Sequence, residues 1–348
     1  MEKRWLIIIV LLLVLIGSVI FMMKRHFSEE NMVYDDEQKG LNKQIVISFS
    51  HVVAENTPKG LAAQKFAELV DEKTNGRVKV EVFSNGSLYS DEEEIDALMR
   101  GDVQMIAPSF SKVTELIPEW QVLDLPFIFE DYHDVERVFT GEVGKQLLAM
   151  LEKKGIKGLA FWSNGFKQMT SNRYLLIEPK DFKGLRFRIM PSKVIEDQFR
   201  LLGTEPIVVS FNHVYQSLEK QEFDGQENTI SNIYSKGFYQ FHPYITVSNH
   251  GYLGYVVLMN GKFWESLPID VRKQIVAALE ETTLWNLKQS KLQNEQQLIE
   301  MKNNSNIQIY ELTDKERKEW KEKFAPLYKE FEKKFGRKLL QRIQNDRG

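Results

Sequence analysis

The sequence predicts an open α/β fold with room for two lobes, on three observations. Between Ile45 and Val82 a short apolar run, a helical segment and a second, strictly alternating run follow one another. Such a strand–helix–strand unit makes a parallel sheet with a right-handed crossover. The length, 348 residues, is enough for two lobes with a sizeable core. Finally, the stretch from about Leu267 to Met301 is helical without a break. At the helical rise it reaches roughly 50 Å, longer than one lobe, so it can brace two.

Taken in order, the chain opens with nineteen uncharged, mostly large aliphatic residues, Trp5 to Met23. They match the length of a helix across a hydrocarbon core. Lys3 and Arg4 precede them, Lys24 and Arg25 follow, and no A-x-A-like exit is present. Residues 1–26 therefore read as a retained membrane anchor, the alternative being a cleaved signal. Residues 27–44 form a polar, acidic linker without the composition of a packed element. The folded part is expected at 45–345.

"QIVISFS" ends at Ser50 like a buried strand. Thr57 with Pro58 then predicts a helix start, with Ala62, Phe66, Leu69 and Val70 on its inner face and Asn75–Gly76 as its stop. "RVKVEVF" is the second strand. Ser90 and Glu93 have capping-box spacing before a helix ending at Gly101. "VQMIAPS", "GIKGLAFW" and "GLRFRIM" are further strand candidates, and Ser192 to Leu202 reads as a helix. An open α/β sheet binds small molecules beyond the carboxyl ends of its strands. That places His51, Ser109 and Trp162 to Asn164 at candidate site positions.

Composition excludes several classes of function. A net charge of −3 leaves no electrostatic footprint for nucleic acid, and the absence of cysteine removes thiol chemistry, disulfides and the common structural zinc sites. The six histidines show no paired metal-ligand spacing. No cofactor fingerprint and no metal site are expected. "SFSK", Ser109 to Lys112, has the S-x-x-K spacing of a serine nucleophile with its lysine, but neither K-T-G nor S-D-N accompanies it. "DEEEID", Asp91 to Asp96, reads as the acidic first turn of a helix.

Anion recognition has better support. In "GLRFRIM", Leu185, Phe187 and Ile189 alternate with Arg186, Arg188 and Met190, so both guanidinium groups leave one face. That face is either solvated or waiting for an anion. "FDGQEN" reads as a turn around Gly225 ending at Asn228, whose amide either donates to a ligand or caps the next helix. "NGFKQMTSN" sets Lys167 near another strand end. Arg188, Lys167 and Asn228 together would suit a carboxylate.

The segments "FSHVVAENTPKG", "GSLYSDEEEIDALMRGDVQM", "NGFKQMTSN", "FKGLRFRIMPS" and above all "FDGQENTISNIYSKGFY" resemble the substrate-binding proteins of tripartite ATP-independent periplasmic (TRAP) transporters, in the DctP-like, C4-dicarboxylate-binding branch. The resemblance runs from about Ile45 to the C-terminus. It implies a two-lobed, periplasmic-binding-protein-like fold with a long helix spanning both lobes. Lobe I would cover about 45–165 and 254–293, and lobe II about 166–253 and 294–345. It implies that Arg188 pairs with the ligand carboxylate, that Asn228 contacts it, and that Phe211 in "VSFNHVY" lines the cleft. Arg186 falls on a position open to solvent. Lys167 stands where some members carry arginine, which leaves its direct contact open. His51 and His250 fall at cleft-facing positions, either as ligand contacts or as hydrogen-bonded core residues.

The function so implied is capture of succinate, fumarate or malate on the extracytoplasmic face of a bacterial membrane, by lobe closure and without catalysis. Delivery would be to the membrane subunits of a TRAP-type transporter. The alternative is a dicarboxylate co-sensor beside a membrane sensor kinase or carrier. A third possibility is a serine hydrolase on Ser109.

Overall fold

The protein is described here by a computed structural model over residues 44–304 and 306–345. The anchor expected at 1–26, and its linker as far as Lys43, lie outside the described residues. Among those described, no helix is long and apolar enough to cross a membrane.

Strand β1 (Ile45–Ser50), helix α1 (Pro58–Thr74) and strand β2 (Val78–Phe83) form the expected crossover unit, with β1 and β2 parallel from Ile45 opposite Val78. Thr57 caps α1, its hydroxyl oxygen accepting the Gly60 N–H at 3.2 Å, and Asn75 ends it in the left-handed region at φ 51°. Helix α2 (Glu94–Arg100) starts with only half of the expected box: the Glu93 carboxylate accepts the Ser90 N–H (3.2 Å) and hydroxyl (2.7 Å), while the Ser90 side chain caps nothing. Strand β3 (Met105–Ile106), parallel to β1, is shorter than "VQMIAPS" suggests, because the chain turns at Ser109 into the short helix α3 (Phe110–Val113).

The centre of the sheet departs from the parallel expectation. Strands β4 (Ile156–Ser171) and β8 (Tyr244–Asn260) run antiparallel along their whole length, from Ile156 opposite Asn260 to Ser171 opposite Tyr244. "GIKGLAFW" is therefore only the first half of β4, and Trp162 to Asn164 lie inside the strand rather than after it. Both strands are buried on both faces, which erases the alternation that marks a strand in sequence. Register shifts at Gly158/Ala160, Ser163/Gly165 and Lys167/Met169 let so long a strand bend with the sheet.

Strands β5 (Arg186–Ile189), β6 (Glu205–Val208) and β7 (Gly225–Thr229) make a second parallel set. The order is β2-β1-β3-β8-β4-β7-β5-β6, with β9 (Gln308–Glu311) pairing β8 off that path. Two parallel sets thus flank one antiparallel pair. Helix α4 (Lys193–Leu201) follows β5, close to its expected bounds.

"FDGQEN" is not a turn, since Gly225 is the first residue of β7. Glycine is required there by close approach: a Cβ would lie 2.5 Å from the Phe187 ring on β5. We expect Gly225→Ala to lower stability by about 1–3 kcal/mol through overpacking, measured as the shift in urea midpoint at unchanged slope.

Helix α5 (Ile230–Ser235) follows β7 directly. The long helix, α6 (Ile269–Asn304), packs on α1, β4 and α5. Its asparagines tie it to the backbone below. Asn286 accepts the Ser163 N–H at 2.6 Å and donates to Pro58 O at 3.1 Å. Asn294 accepts the Ser231 N–H at 3.0 Å and donates to Asn164 O at 2.7 Å. Apolar clusters fill both faces of the sheet, one around Phe49, Phe66 and Trp162, the other around Trp120, Phe161, Phe187 and Trp320.

Candidate functional site

The carboxyl ends of five strands converge on one cavity of about 450 Å³ of atom-free space, counted out to its mouth. Val52 and Val53 follow β1, Ser109 and Lys112 follow β3, and Arg188, Met190 and Pro191 lie at the end of β5. Phe211 follows β6, while Asn228 and Asn232 stand at the end of β7 and on α5. Asp91 in the turn before α2 and Glu94 at its first position, with Leu253 and Tyr255 of β8, complete the wall. Most of the lining is apolar or buried, so each polar group in it acts in a low dielectric.

Arg188 is buried, 3 % exposed, unlike its strand neighbour. Its Nε and Nη2 donate to Val209 O at 3.0 and 2.8 Å, and Nη1 makes no hydrogen bond to the described residues. Burial pulls the guanidinium down to about 10, against the attraction of Asp91 and Glu227. It stays cationic at neutral pH. Asn228 uses Oδ1 to accept from Thr229 N–H (3.0 Å) and Asn232 Nδ2 (2.9 Å), which leaves its own Nδ2 as the free end. It does not cap α5. That role falls to Thr229, whose hydroxyl oxygen accepts the Asn232 N–H.

Asp91 joins the two parallel halves. Its carboxylate accepts from the Ser210 hydroxyl at 2.7 Å and the Phe211 N–H at 3.2 Å, and lies 3.4 Å from Lys112 Nζ. Lys236 Nζ on the far side donates to Asn85 Oδ1 at 3.2 Å. The Lys112 ammonium is thus occupied by Asp91, and among the described residues it makes no hydrogen bond to the Ser109 hydroxyl, which removes the arrangement an S-x-x-K nucleophile needs.

Of the expected site residues, Arg188, Asn228, Phe211 and Ser109 lie on this cavity and five do not. Lys167 is buried with its ammonium 2.5 Å from Glu227 Oε1, in room left by Gly251, where a Cβ would lie 2.6 Å from Lys167 Cε. His250 lies 2.8 Å from Glu227 Oε2 through Nε2 and 2.7 Å from the Ser248 hydroxyl through Nδ1. Burial lowers its pKa against the pull of Glu227, so it is neutral, donating to the carboxylate and accepting from the serine. Trp162 is in the apolar cluster of Phe49 and Phe66. Asn164 donates to the Thr229 hydroxyl at 2.6 Å beneath α6. His51 is wholly buried, and burial, with Lys59 adding to it, lowers its pKa to about 3.

Arg186 is not merely solvated. It is partly exposed and holds Asp224, its Nη2 lying 3.2 Å from Oδ1, while Asp224 also accepts the Arg186 N–H at 3.0 Å. Sequence pattern missed Asp91 and Glu94, assigned above to the acidic first turn of a helix. Their spacing of three was the available signal, because one turn brings both carboxylates to one side, Asp91 from the turn that leads into α2 and Glu94 from its first residue.

The model of the bacterial extracellular solute-binding protein family 7 (DctP) matches residues 49–334. The chain is 54% identical to the C4-dicarboxylate-binding protein DctB of Bacillus subtilis (strain 168), across 91% of each chain. It is 46% identical to the C4-dicarboxylate-binding periplasmic protein DctP of Rhodobacter capsulatus, over 87% of this chain and 91% of that one. Among crystal structures, a TRAP periplasmic solute binding protein from Shewanella oneidensis with bound succinate is similar at a TM-score of 0.84 and 41% identity, over 88% of this chain and 100% of that one. Another, from Pseudomonas aeruginosa PAO1 with bound L-malate, gives 0.80 at 37% identity, over 82% and 99%.

Proposed function

The chain belongs to the bacterial extracellular solute-binding protein family 7, and on that premise we propose that it captures a C4-dicarboxylate such as succinate, fumarate or malate by lobe closure, for uptake through a TRAP-type transporter. The family is one of solute-binding transport proteins rather than enzymes. The observation that carries the proposal is Arg188. A cationic guanidinium, buried at a strand end with Nη1 unbonded and the free Nδ2 of Asn228 on the same cavity, is a receptor for one carboxylate. The names of the relatives and the ligands of the similar structures support the C4 acids.

Lobe I covers about 45–165 and 254–293, and lobe II about 166–253 and 294–345. The bonds of Asp91 to Ser210 and Phe211, and of Lys236 to Asn85, cross between them. They are the contacts expected of the closed state, which the ligand favours by binding it better than the open one. Trp5 to Met23 would hold the protein at the outer face of the membrane, beside the transporter.

Isothermal titration of the full chain tests this. Succinate, fumarate or malate should bind and butyrate should not. As pH falls toward the ligand's own pKa values, affinity should drop, because the Arg188 site takes the ionised carboxylate. A folded protein that binds none of the three dicarboxylates would remove the C4 assignment.

A further inference from the structure

One carboxylate on the cavity wall has no partner among the described residues. Glu94 is 1 % exposed, and neither of its carboxylate oxygens makes a hydrogen bond there. It lines the cavity that also holds Arg188 and Asn228. A buried carboxylate without a partner is driven to take a proton. Burial, the largest influence, raises Glu94 from 4.5 to about 7; Lys59 and Lys112 oppose the shift and Asp91 adds to it.

The groups packed around Glu94 are otherwise engaged. Lys59 of α1 donates to Ala107 O at 2.8 Å and sits 3.8 Å from the centre of the Tyr255 ring. Burial lowers it to about 8, against Glu94 and Asp91. Lys112 of α3 faces Asp91 at 3.4 Å, and elsewhere on the same cavity Arg188 of β5 gives its Nε and Nη2, but not Nη1, to Val209 O. The Tyr255 phenol of β8 is pushed up by burial and is neutral.

Resting on the dicarboxylate reading above, we propose that Glu94 is the specificity-determining group for the far end of the acid. In its protonated form it donates O–H to the ligand oxygen not held by Arg188, so that capture draws one proton from solution. The step is a proton addition alone: the ionised glutamate, a proton and the dianion become the carboxylic acid bonded to the dianion. The entering negative charge is a like charge for Glu94 and strengthens its hold on the proton. The resulting O–H···O⁻ bond is charge-assisted. A monocarboxylate offers no oxygen there and leaves the donor unpaired, which selects against it.

The test is calorimetric titration of the full chain with succinate at pH 8, in phosphate and in Tris, whose ionisation heats differ. Wild type should show a buffer-dependent heat equal to uptake of about one proton, and an affinity falling roughly tenfold per pH unit above pH 7. Glu94→Gln, whose amide donates without titrating, should still bind at pH 8, with little buffer dependence and a flat profile from pH 7 to 9. Because Lys59 could also take a proton, the infrared difference spectrum on adding succinate to wild type decides between them. A new carboxylic C=O band is expected, and it also decides the matter if Glu94→Gln does not fold. Succinate binding without proton uptake, uptake unchanged in Glu94→Gln, or no C=O band would each overturn the role of Glu94 and leave the dicarboxylate reading standing. No succinate binding by folded wild type at any pH overturns both.

Discussion

Arg188→Ala is expected to abolish dicarboxylate binding while the fold survives. The side chain makes one set of contacts within the protein, to Val209 O, and its substitution leaves a ligand carboxylate buried without its cation. Removing one partner of a buried charged pair costs about 2–5 kcal/mol, which is a loss of roughly thirtyfold or more in affinity. Arg186→Ala is the matched control, two residues along the same strand face. It loses a partly exposed pair with Asp224, which contributes little at a surface, and should leave affinity almost unchanged. Titration with succinate compares them directly. Equal losses, or losses in the reverse order, would mean that Arg188 is not the carboxylate receptor.

The largest stability effect is expected at Glu227. It accepts from Lys167 and His250 in an interior without solvent, and Glu227→Gln would leave the Lys167 ammonium buried and uncompensated. The expected loss is about 3–5 kcal/mol, read as a shift in the denaturation midpoint. Replacing both partners by apolar residues, Lys167→Met with Glu227→Leu, should cost less than the single change, because no charge is stranded. Burial opposes ionisation of Glu227, but Lys167 and His250 outweigh it and bring its pKa from 4.5 down to about 2. A depressed carboxylate stabilises the fold fully above the unfolded value and less as pH falls through the folded one. This contribution should therefore fade between about pH 4.5 and 2, and acid unfolding of Glu227→Gln should lack that component. An unchanged acid transition would show that the pair does not carry the depressed pKa.

The amino-terminal crossover unit was legible because its signals are local. Alternation in "VKVEV", the Thr57–Pro58 start and the Asn75–Gly76 stop each act over a few residues, and the structure realises all three. The long helix was legible for the same reason. The antiparallel centre was not. Strands β4 and β8 are buried on both faces and pair across about ninety residues of chain, so neither alternation nor neighbouring sequence reports them. Gly225 shows the same limit, since a glycine at a turn and a glycine under an aromatic ring look alike in one dimension.

Sequence alone determined the α/β class, the caps, the apolar face of the "RFRI" strand and the candidacy of Arg188 and Asn228, because periodicity and side-chain chemistry are properties of the chain itself. The tertiary structure alone decided which charges meet. Lys167 and Glu227 are sixty residues apart and become a buried pair through β4 and β7, which takes Lys167 off the cavity. Asp91 and Glu94, three residues apart, divide: one carboxylate is bonded to Ser210 and Phe211, the other to no group among the described residues. Whether a polar side chain is solvated, paired or left facing a cavity depends on neighbours that only folding supplies.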